Sequence, residues 1–207
     1  MKLIFVRHGE STANREHIIS NRNQEFGLTE QGIHQANLVA TRLAGENVAR
    51  LYTSPLLRAR QTGEIIAKQV NIPHIVADEL REFDCGSLEG RNDPEAWNSF
   101  LSIFQDWLKG KKWRVHMAGG ESFMDITRRF IPFVEKIRKD YEGQTGSLVL
   151  VSHGGVFYTM LPLILENVSF KSTSGTIMGN TDIVIAEEVQ GLLICREWCG
   201  KPVEGIL

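Results

Sequence analysis

Two apolar runs in this chain end in the same dipeptide. Leu3-Ile4-Phe5-Val6 leads into Arg7-His8-Gly9, and Leu148-Val149-Leu150-Val151 leads into Ser152-His153-Gly154-Gly155. Short runs unbroken by a polar residue read as strands buried on both faces, the signature of a parallel sheet. Each histidine then stands at the carboxyl end of a strand, the edge where open α/β sheets bind ligands. If the two strands are neighbours, the two histidines meet. No other feature of the chain constrains the fold as tightly.

The remaining segments alternate helix and strand signals. Thr29 is placed to cap a helix carrying Ile33, Ala36, Ala40 and Leu43 on one face and ending near Gly45. Val48–Thr53 reads as a strand, and Ser54-Pro55 as the cap and first position of a helix running to about Val70. Ile72–Ala77 is a weaker strand candidate, and Asp78–Gly90 reads as irregular. Asp93-Pro94 opens a helix with an apolar stripe of Trp97, Phe100, Leu101, Phe104 and Leu108. Ser122 and Asp125 form a capping box before a helix whose buried face is Phe123, Ile126, Phe130, Phe133 and Ile137, with Pro132 expected to kink it. A core helix follows from about Gly155 to Leu165. Two last strands, around Asp182–Ala186 and Leu192–Arg196, join through the hairpin signal Gln190-Gly191. This order predicts an α/β fold: a three-layer α/β/α sandwich with a mostly parallel sheet, helices on both faces and a C-terminal antiparallel hairpin. With 207 residues, no repeats and no low-complexity linker, the expectation is one domain over residues 1–207.

Composition removes several function classes. A net charge of −2 gives no electrostatic ground for nucleic acid or an anionic membrane as partner. The longest apolar stretch, Val156–Leu165, is too short to cross a bilayer. The chain reaches Arg7 after the four apolar residues Leu3–Val6, too few for a signal segment. Cys85, Cys195 and Cys199 form no C-x-x-C pair, so a reducing, cytoplasmic location is expected rather than a disulfide framework. Cys195 and Cys199 fit a late strand and its exit better than a shared metal.

Parallel strands deliver their following loops to one edge of the sheet. That edge collects Arg7, His8 and Asn14 from the first loop and Arg58 from the first turn of the helix after Ser54. It also collects His153 and the Gly154-Gly155 amides at the start of the last long helix. Helix starts attract anions, and arginine grips phosphate in bidentate fashion. A histidine at the floor goes beyond binding. A neutral imidazole can attack phosphorus, forming a phosphohistidine and dividing the reaction into two steps. Cationic neighbours would carry the charge on the equatorial oxygens, so no metal and no cofactor are expected. Neither a Walker motif nor H-E-x-x-H is present.

The leaving oxygen still needs an acid. Glu82, in Leu80-Arg81-Glu82-Phe83-Asp84, lies in a loop with no evident structural task, and on chemistry alone Asp84 and Glu89 compete with it. A metal-dependent hydrolase with His8, His153 and Glu82 as ligands is the competing reading. Two arginines at the same site oppose it, because they would repel the metal. His17, His34, His74 and His116 read as surface or core residues. The basic stretch Lys109–His116 reads as a solvated loop, with a flank greeting an acidic substrate as the alternative.

Arg7-His8-Gly9-Glu10-Ser11 with Asn14 resembles the signature of the histidine phosphatase superfamily, the phosphoglycerate-mutase-like proteins. Leu28-Thr29-Glu30-Gln31-Gly32 with Gln35-Ala36 is similar to that family's first helix, and Ser54-Pro55-Leu56-Leu57-Arg58-Ala59 with Gln61-Thr62 to its second-arginine segment. Leu80-x-Glu82-x-x-x-Gly86-x-Leu88-Glu89-Gly90 resembles its acid loop. Gly119-Gly120-Glu121-Ser122 with Arg128, and Ser152-His153-Gly154-Gly155, complete the pattern. The resemblance implies that His8 is the nucleophile, that Arg7, Arg58 and His153 hold the phosphoryl group with Asn14 assisting, and that Glu82 is the acid–base.

The functional expectation is a metal-independent phosphatase acting on a small phosphorylated substrate. The first alternative is a phosphoglycerate mutase; the chain is lean for one, and Arg91–Met117 does not follow the mutase pattern. The second is a phosphate-binding module without turnover, against which the full set of expected site residues stands. The substrate is not identified; its selection is expected to lie in Ile18–Gly27 and Arg91–Met117.

Overall fold

The computed structural model describes residues 1–22, 25–175 and 178–204. Its centre is a seven-stranded sheet. Strands β1 (Lys2–Arg7), β2 (Val48–Thr53), β3 (His74–Val76) and β4 (Ser147–Ser152) run parallel in the order β3-β2-β4-β1. Strands β5 (Ile183–Val189), β6 (Leu192–Trp198) and β7 (Lys201–Pro202) extend the β1 edge in antiparallel fashion.

β1 and β4 are direct neighbours, with Arg7 opposite Ser152, so both His-Gly turns leave the sheet side by side. The His8 amide continues the ladder by donating to Ser152 O at 3.0 Å.

Alternation along these strands splits the core into two faces. Leu3, Phe5, Leu148 and Leu150 pack toward helices α5 (Phe123–Asp140) and α6 (Gly154–Ile164). Ile4, Val6, Val149 and Val151 pack toward α2 (Glu30–Leu43) and α3 (Leu57–Val70). The three-layer sandwich expected from the sequence is the fold observed.

Capping signals placed several helix starts correctly. Thr29 accepts from the Gly32 amide, Asp93 from Ala96 at the start of α4 (Pro94–Leu108), and Ser122 with Asp125 closes a reciprocal box. The final hairpin turns at Gln190 and Gly191, both at positive φ.

Other expectations need correction. Ser54 is not the N-cap of α3; Leu56 is, without a side-chain cap, and the Ser54 hydroxyl accepts from the Leu56 amide at 3.3 Å and meets His153 Nε2 at 2.7 Å. Ile33 is 46% exposed, because the buried face of α2 is Ala36, Val39, Ala40 and Leu43. The end of α2 is as expected, with Ala44 as its C-cap directly before Gly45. Phe133 is half-buried, edge-on to Tyr52, and Val134 fills the core position beside it. The short helices α1 (Thr12–Arg15) and α7 (Phe170–Thr173), and β7, were not legible: a single turn has no hydrophobic period to read. Among the described residues, no helix is long and apolar enough to cross a membrane.

Candidate active site

The carboxyl edge of β1 and β4 forms the floor of a cavity of about 470 Å³. His8 lines that floor, and the buried His153 lies next to it, with ring centroids 5.0 Å apart and planes inclined at 61°. Arg7, Arg58, Asn14, Glu82 and Gly154 line the same cavity. The residues expected from the sequence thus converge, although they come from five different segments.

The hydrogen bonds of His8 fix its tautomer. Nδ1 lies 2.7 Å from Gly9 O, and a carbonyl can only accept, so Nδ1 carries the proton. Nε2 lies 3.0 Å from Arg58 Nε, and a guanidinium can only donate, so Nε2 presents its lone pair. Burial, reinforced by the charges of Arg58 and Arg7, holds the His8 pKa well below the ordinary histidine value. The ring is therefore neutral at neutral pH with Nε2 as its reactive nitrogen. His153 is likewise held neutral by burial and then by Arg58, His8 and Arg7. Its Nε2 meets Ser54 Oγ at 2.7 Å, and its buried Nδ1 has no protein partner.

Two buried guanidiniums face this pair. Arg58 donates Nη2 to Ser20 O at 2.7 Å, and Arg7 donates Nη1 to Met178 O. Arg58 Nη1 and Arg7 Nε are buried without a protein acceptor. Buried polar atoms are almost always satisfied. Two orphaned cationic donors at one cavity floor, with the unpartnered Nδ1 of His153 beside His8, fit an anion with several acceptor oxygens. Burial lowers the Arg58 pKa to about 10, which keeps it charged at neutral pH. Asn14 Oδ1 accepts from the Ser11 amide at 3.1 Å and from Asn180 Nδ2 at 3.2 Å, leaving the Asn14 amide donors for the cavity.

Glu82 is the one carboxylate lining the cavity among the described residues. Its Oε1 accepts from the Phe83 amide at 3.0 Å and its Oε2 from the Gly155 amide at 2.9 Å. Burial raises its pKa despite those two N–H groups and the charges of Arg58 and Arg129. The two rivals are committed elsewhere: Asp84 pairs with Arg22 at 2.7 Å, and Glu89 accepts from the Asn21 and Arg22 amides.

The loop carrying Glu82 is pinned on both sides. Phe83 stacks on Phe100 at 5.7 Å and meets Trp107 edge-on at 5.3 Å, and such pairs contribute about 1 kcal/mol each beyond burial. Ser152 Oγ donates to Leu80 O at 2.5 Å. Arg129 donates to Glu79 O at 2.7 Å and forks onto Glu121, whose Oε2 accepts from the Asp84 amide. Arg128, noted with this motif in the sequence, is exposed and pairs with Asp125 instead.

Sequence reasoning missed Ser54 as the partner of His153, Asn180 as the partner of Asn14, and Gly155 as the seat of Glu82. A Cβ on Gly155 would lie 2.5 Å from Phe83 Cε1 and 2.8 Å from Glu82 Oε1, so only glycine admits the carboxylate there. The doubled glycine after His153 was the available signal. None of Lys109–His116 lines the cavity; Lys112 is paired with Asp106 at 2.9 Å. Among the described residues, no cluster of His, Cys, Asp and Glu is arranged to hold a metal ion. Cys195 lies buried in β6 and Cys199 follows it, both as free thiols.

Paired histidines and arginines at the strand edge of an α/β/α sandwich define a protein built to handle a phosphoryl group. Its family is recognised independently: the model of the histidine phosphatase superfamily (branch 1) matches residues 3–199. The chain belongs to that superfamily. It is 32% identical over 187 residues to the metal-independent phosphoserine phosphatase of Arabidopsis thaliana, covering 86% of this chain and 72% of the relative. It is 35% identical over 160 residues to the probable phosphoglycerate mutase GpmB of Photorhabdus laumondii, covering 74% of this chain and 70% of that one. The crystal structure of phosphoserine phosphatase from Entamoeba histolytica with 3-phosphoglyceric acid superposes with a TM-score of 0.80 at 26% identity, over 97% of each chain.

Proposed function

We propose that this chain is a metal-independent phosphatase that hydrolyses phosphomonoesters through a phosphohistidine on His8. The observation that carries the reading is the His8 tautomer: a neutral ring whose Nδ1–H donates to Gly9 O and whose Nε2 lone pair faces Arg58.

The phosphoryl group exchanges the Arg58–His8 hydrogen bond for contacts with its own oxygens. Arg7, Arg58, His153, Asn14 and the Gly154 amide then hold those oxygens. Nε2 donates its electron pair to phosphorus while the bond to the leaving oxygen breaks, and that oxygen takes the proton of Glu82. The Gly9 carbonyl accepts from Nδ1–H throughout and stabilises the cationic phosphoimidazole. In the second step Glu82, now ionised, takes a proton from water as the water oxygen attacks phosphorus. The N–P bond breaks, its electron pair returns to Nε2, and phosphate leaves. The orphaned donors supply the charge stabilisation that a divalent ion provides in other phosphoryl-transfer sites.

Phosphatase and mutase share the first step and differ in which acceptor meets the phosphohistidine. Turnover of p-nitrophenyl phosphate tests the phosphatase against a non-catalytic module, and a 3-phosphoglycerate assay with and without the bisphosphate tests it against the mutase. A cytoplasmic location rests on three free thiols, and a single domain on the packing of all described helices around one sheet.

A further inference from the structure

The cavity above the phosphate floor has a composition that its floor does not require. Every charged side chain that lines it is at the bottom: Arg7, Arg58 and Glu82. The wall is mostly apolar, built from Ile18, Trp97, Phe100, Leu101, Phe104 and Tyr158, and its polar members, Ser20, Asn21 and Gln105, are all uncharged. Four of the apolar members come from α4, the apolar stripe that reads from sequence as a core face. The fully buried residues of α4 are Ala96 and Trp107, and the stripe itself faces the cavity. Leu101 is left 45% exposed there, an apolar surface with no protein group to cover it.

The wall's two aromatic polar handles are spent. Trp97 Nε1 donates to His17 O at 2.8 Å and Tyr158 OH to Thr173 O at 2.7 Å. What these residues offer a ligand is ring surface. Among the described residues, no cation besides Arg7 and Arg58 lines the cavity. Arg22 is held by Asp84 and Gly119 O and does not line the cavity. Asn23, Gln24, Thr176, Ile177 and the last three residues, which lie outside the described structure, include no Lys, Arg or His.

We infer that the substrate is a phosphomonoester of an uncharged, apolar alcohol, alkyl or arylalkyl, whose body lies along the α4 wall. This rests on the phosphatase reading of the floor. A carboxylate on the substrate would lie against rings, aliphatic groups and a few neutral polar side chains with no cation to pair with, a placement that carries a desolvation cost. Both arginines are occupied by the phosphoryl oxygens. A cavity of this size buries most of a drug-sized ligand, far more than a phosphorylated three-carbon acid fills.

The test uses the intact chain and two ligand series. Ethyl-, butyl-, hexyl- and 2-phenylethylphosphonate cannot be hydrolysed, so their binding, measured by calorimetry, reads the wall independently of turnover. Affinity is expected to rise roughly threefold per added methylene, so that hexylphosphonate binds tighter than ethylphosphonate by about fiftyfold or more. The matching phosphate esters leave as alkoxides of similar basicity, so kcat/KM should follow the same order and exceed that for phosphoserine and 3-phosphoglycerate. Leu101→Glu, at an exposed position that folding tolerates, should cut the hexyl-to-ethyl ratio about tenfold in both series. Phosphonate affinity independent of chain length, or a preference for the two carboxylate substrates, overturns the inference while leaving the phosphatase intact. Length-dependent binding with no ester hydrolysed supports the wall and instead overturns the catalytic reading.

Discussion

The Nε–H of Arg58 is directed at Nε2 of His8 across 3.0 Å. This contact leaves the proposed nucleophile neutral, correctly tautomerised and capped by a cation that a phosphate oxygen can take over. Arg58→Gln should therefore lower kcat/KM by about 10²–10³, the usual cost of removing a donor that stabilises transition-state charge. Arg58→Lys should recover little, because a point charge reproduces neither fork nor aim. Removing this cation makes His8 easier to protonate, so the acid limb of the pH profile should move up. Steady-state kinetics across pH in both variants reads both effects; an unmoved acid limb contradicts the coupling.

Glu82 must be protonated to start the reaction, and His8 must not be. The pKa of His8 is held well below the ordinary histidine value, chiefly by burial, and that of Glu82 is raised, again chiefly by burial. Activity should thus fall in acid as His8 gains its proton and fall in base as Glu82 loses its own, giving a bell-shaped kcat/KM. Glu82→Gln should slow alkyl phosphates by roughly 10²-fold or more and remove the basic limb. Aryl phosphates, whose leaving groups need no proton, should lose much less in the phosphorylation step. Single-turnover kinetics on both substrate classes separates the cases; equal losses would move the acid elsewhere.

Gly155→Ala inserts a methyl group where Phe83 and Glu82 already lie. It should destabilise the fold by about 1–3 kcal/mol, the typical cost of overpacking. It should also reproduce the Glu82→Gln pattern, with alkyl substrates slowed more than aryl ones. Denaturant melts and the same kinetic pair test this; loss of stability with catalysis unaltered would detach Gly155 from the positioning of Glu82.

The orphaned donors of Arg7 and Arg58, with the unpartnered His153 ring nitrogen, are expected to do without a metal. Exhaustive chelation should leave activity unchanged. Vanadate, which imitates pentacoordinate phosphorus, should inhibit the wild type and bind Arg58→Gln much more weakly. Activity that dies with chelator and returns with a divalent ion would favour the metal-hydrolase reading.

The legible part of this chain was the part written in periodicity and caps. β1 and β4 announced themselves as apolar runs, and their pairing brought His8 and His153 together as expected. Thr29, Asp93 and Ser122 marked true helix starts. What stayed hidden depends on contacts between segments distant in sequence. Ser54 looked like a cap because its local context is that of one; only the fold shows His153 beside it. On chemistry alone Glu82, Asp84 and Glu89 were equivalent, and what distinguishes them is the Gly155 amide, hinted at only by the doubled glycine after His153, and the cavity, which has no local signature. The α4 stripe carried the period of a core face, and a periodicity cannot say whether the apolar surface meets protein or ligand. Of the two segments expected to select the substrate, Arg91–Met117 supplies most of that wall and Ile18–Gly27 lines the cavity through Ile18, Ile19, Ser20 and Asn21, with positions 23 and 24 outside the described residues.

The central claim is that His8 attacks through Nε2. Enzyme mixed with substrate and quenched in base should carry phosphate that is stable to alkali, labile to acid and located on His8. Phosphorus NMR of the quenched protein should give the Nε2-linked isomer, because Nδ1 is committed to Gly9 O. Label on Nδ1, on a serine or on a carboxylate, or full activity in His8→Ala, would contradict the account.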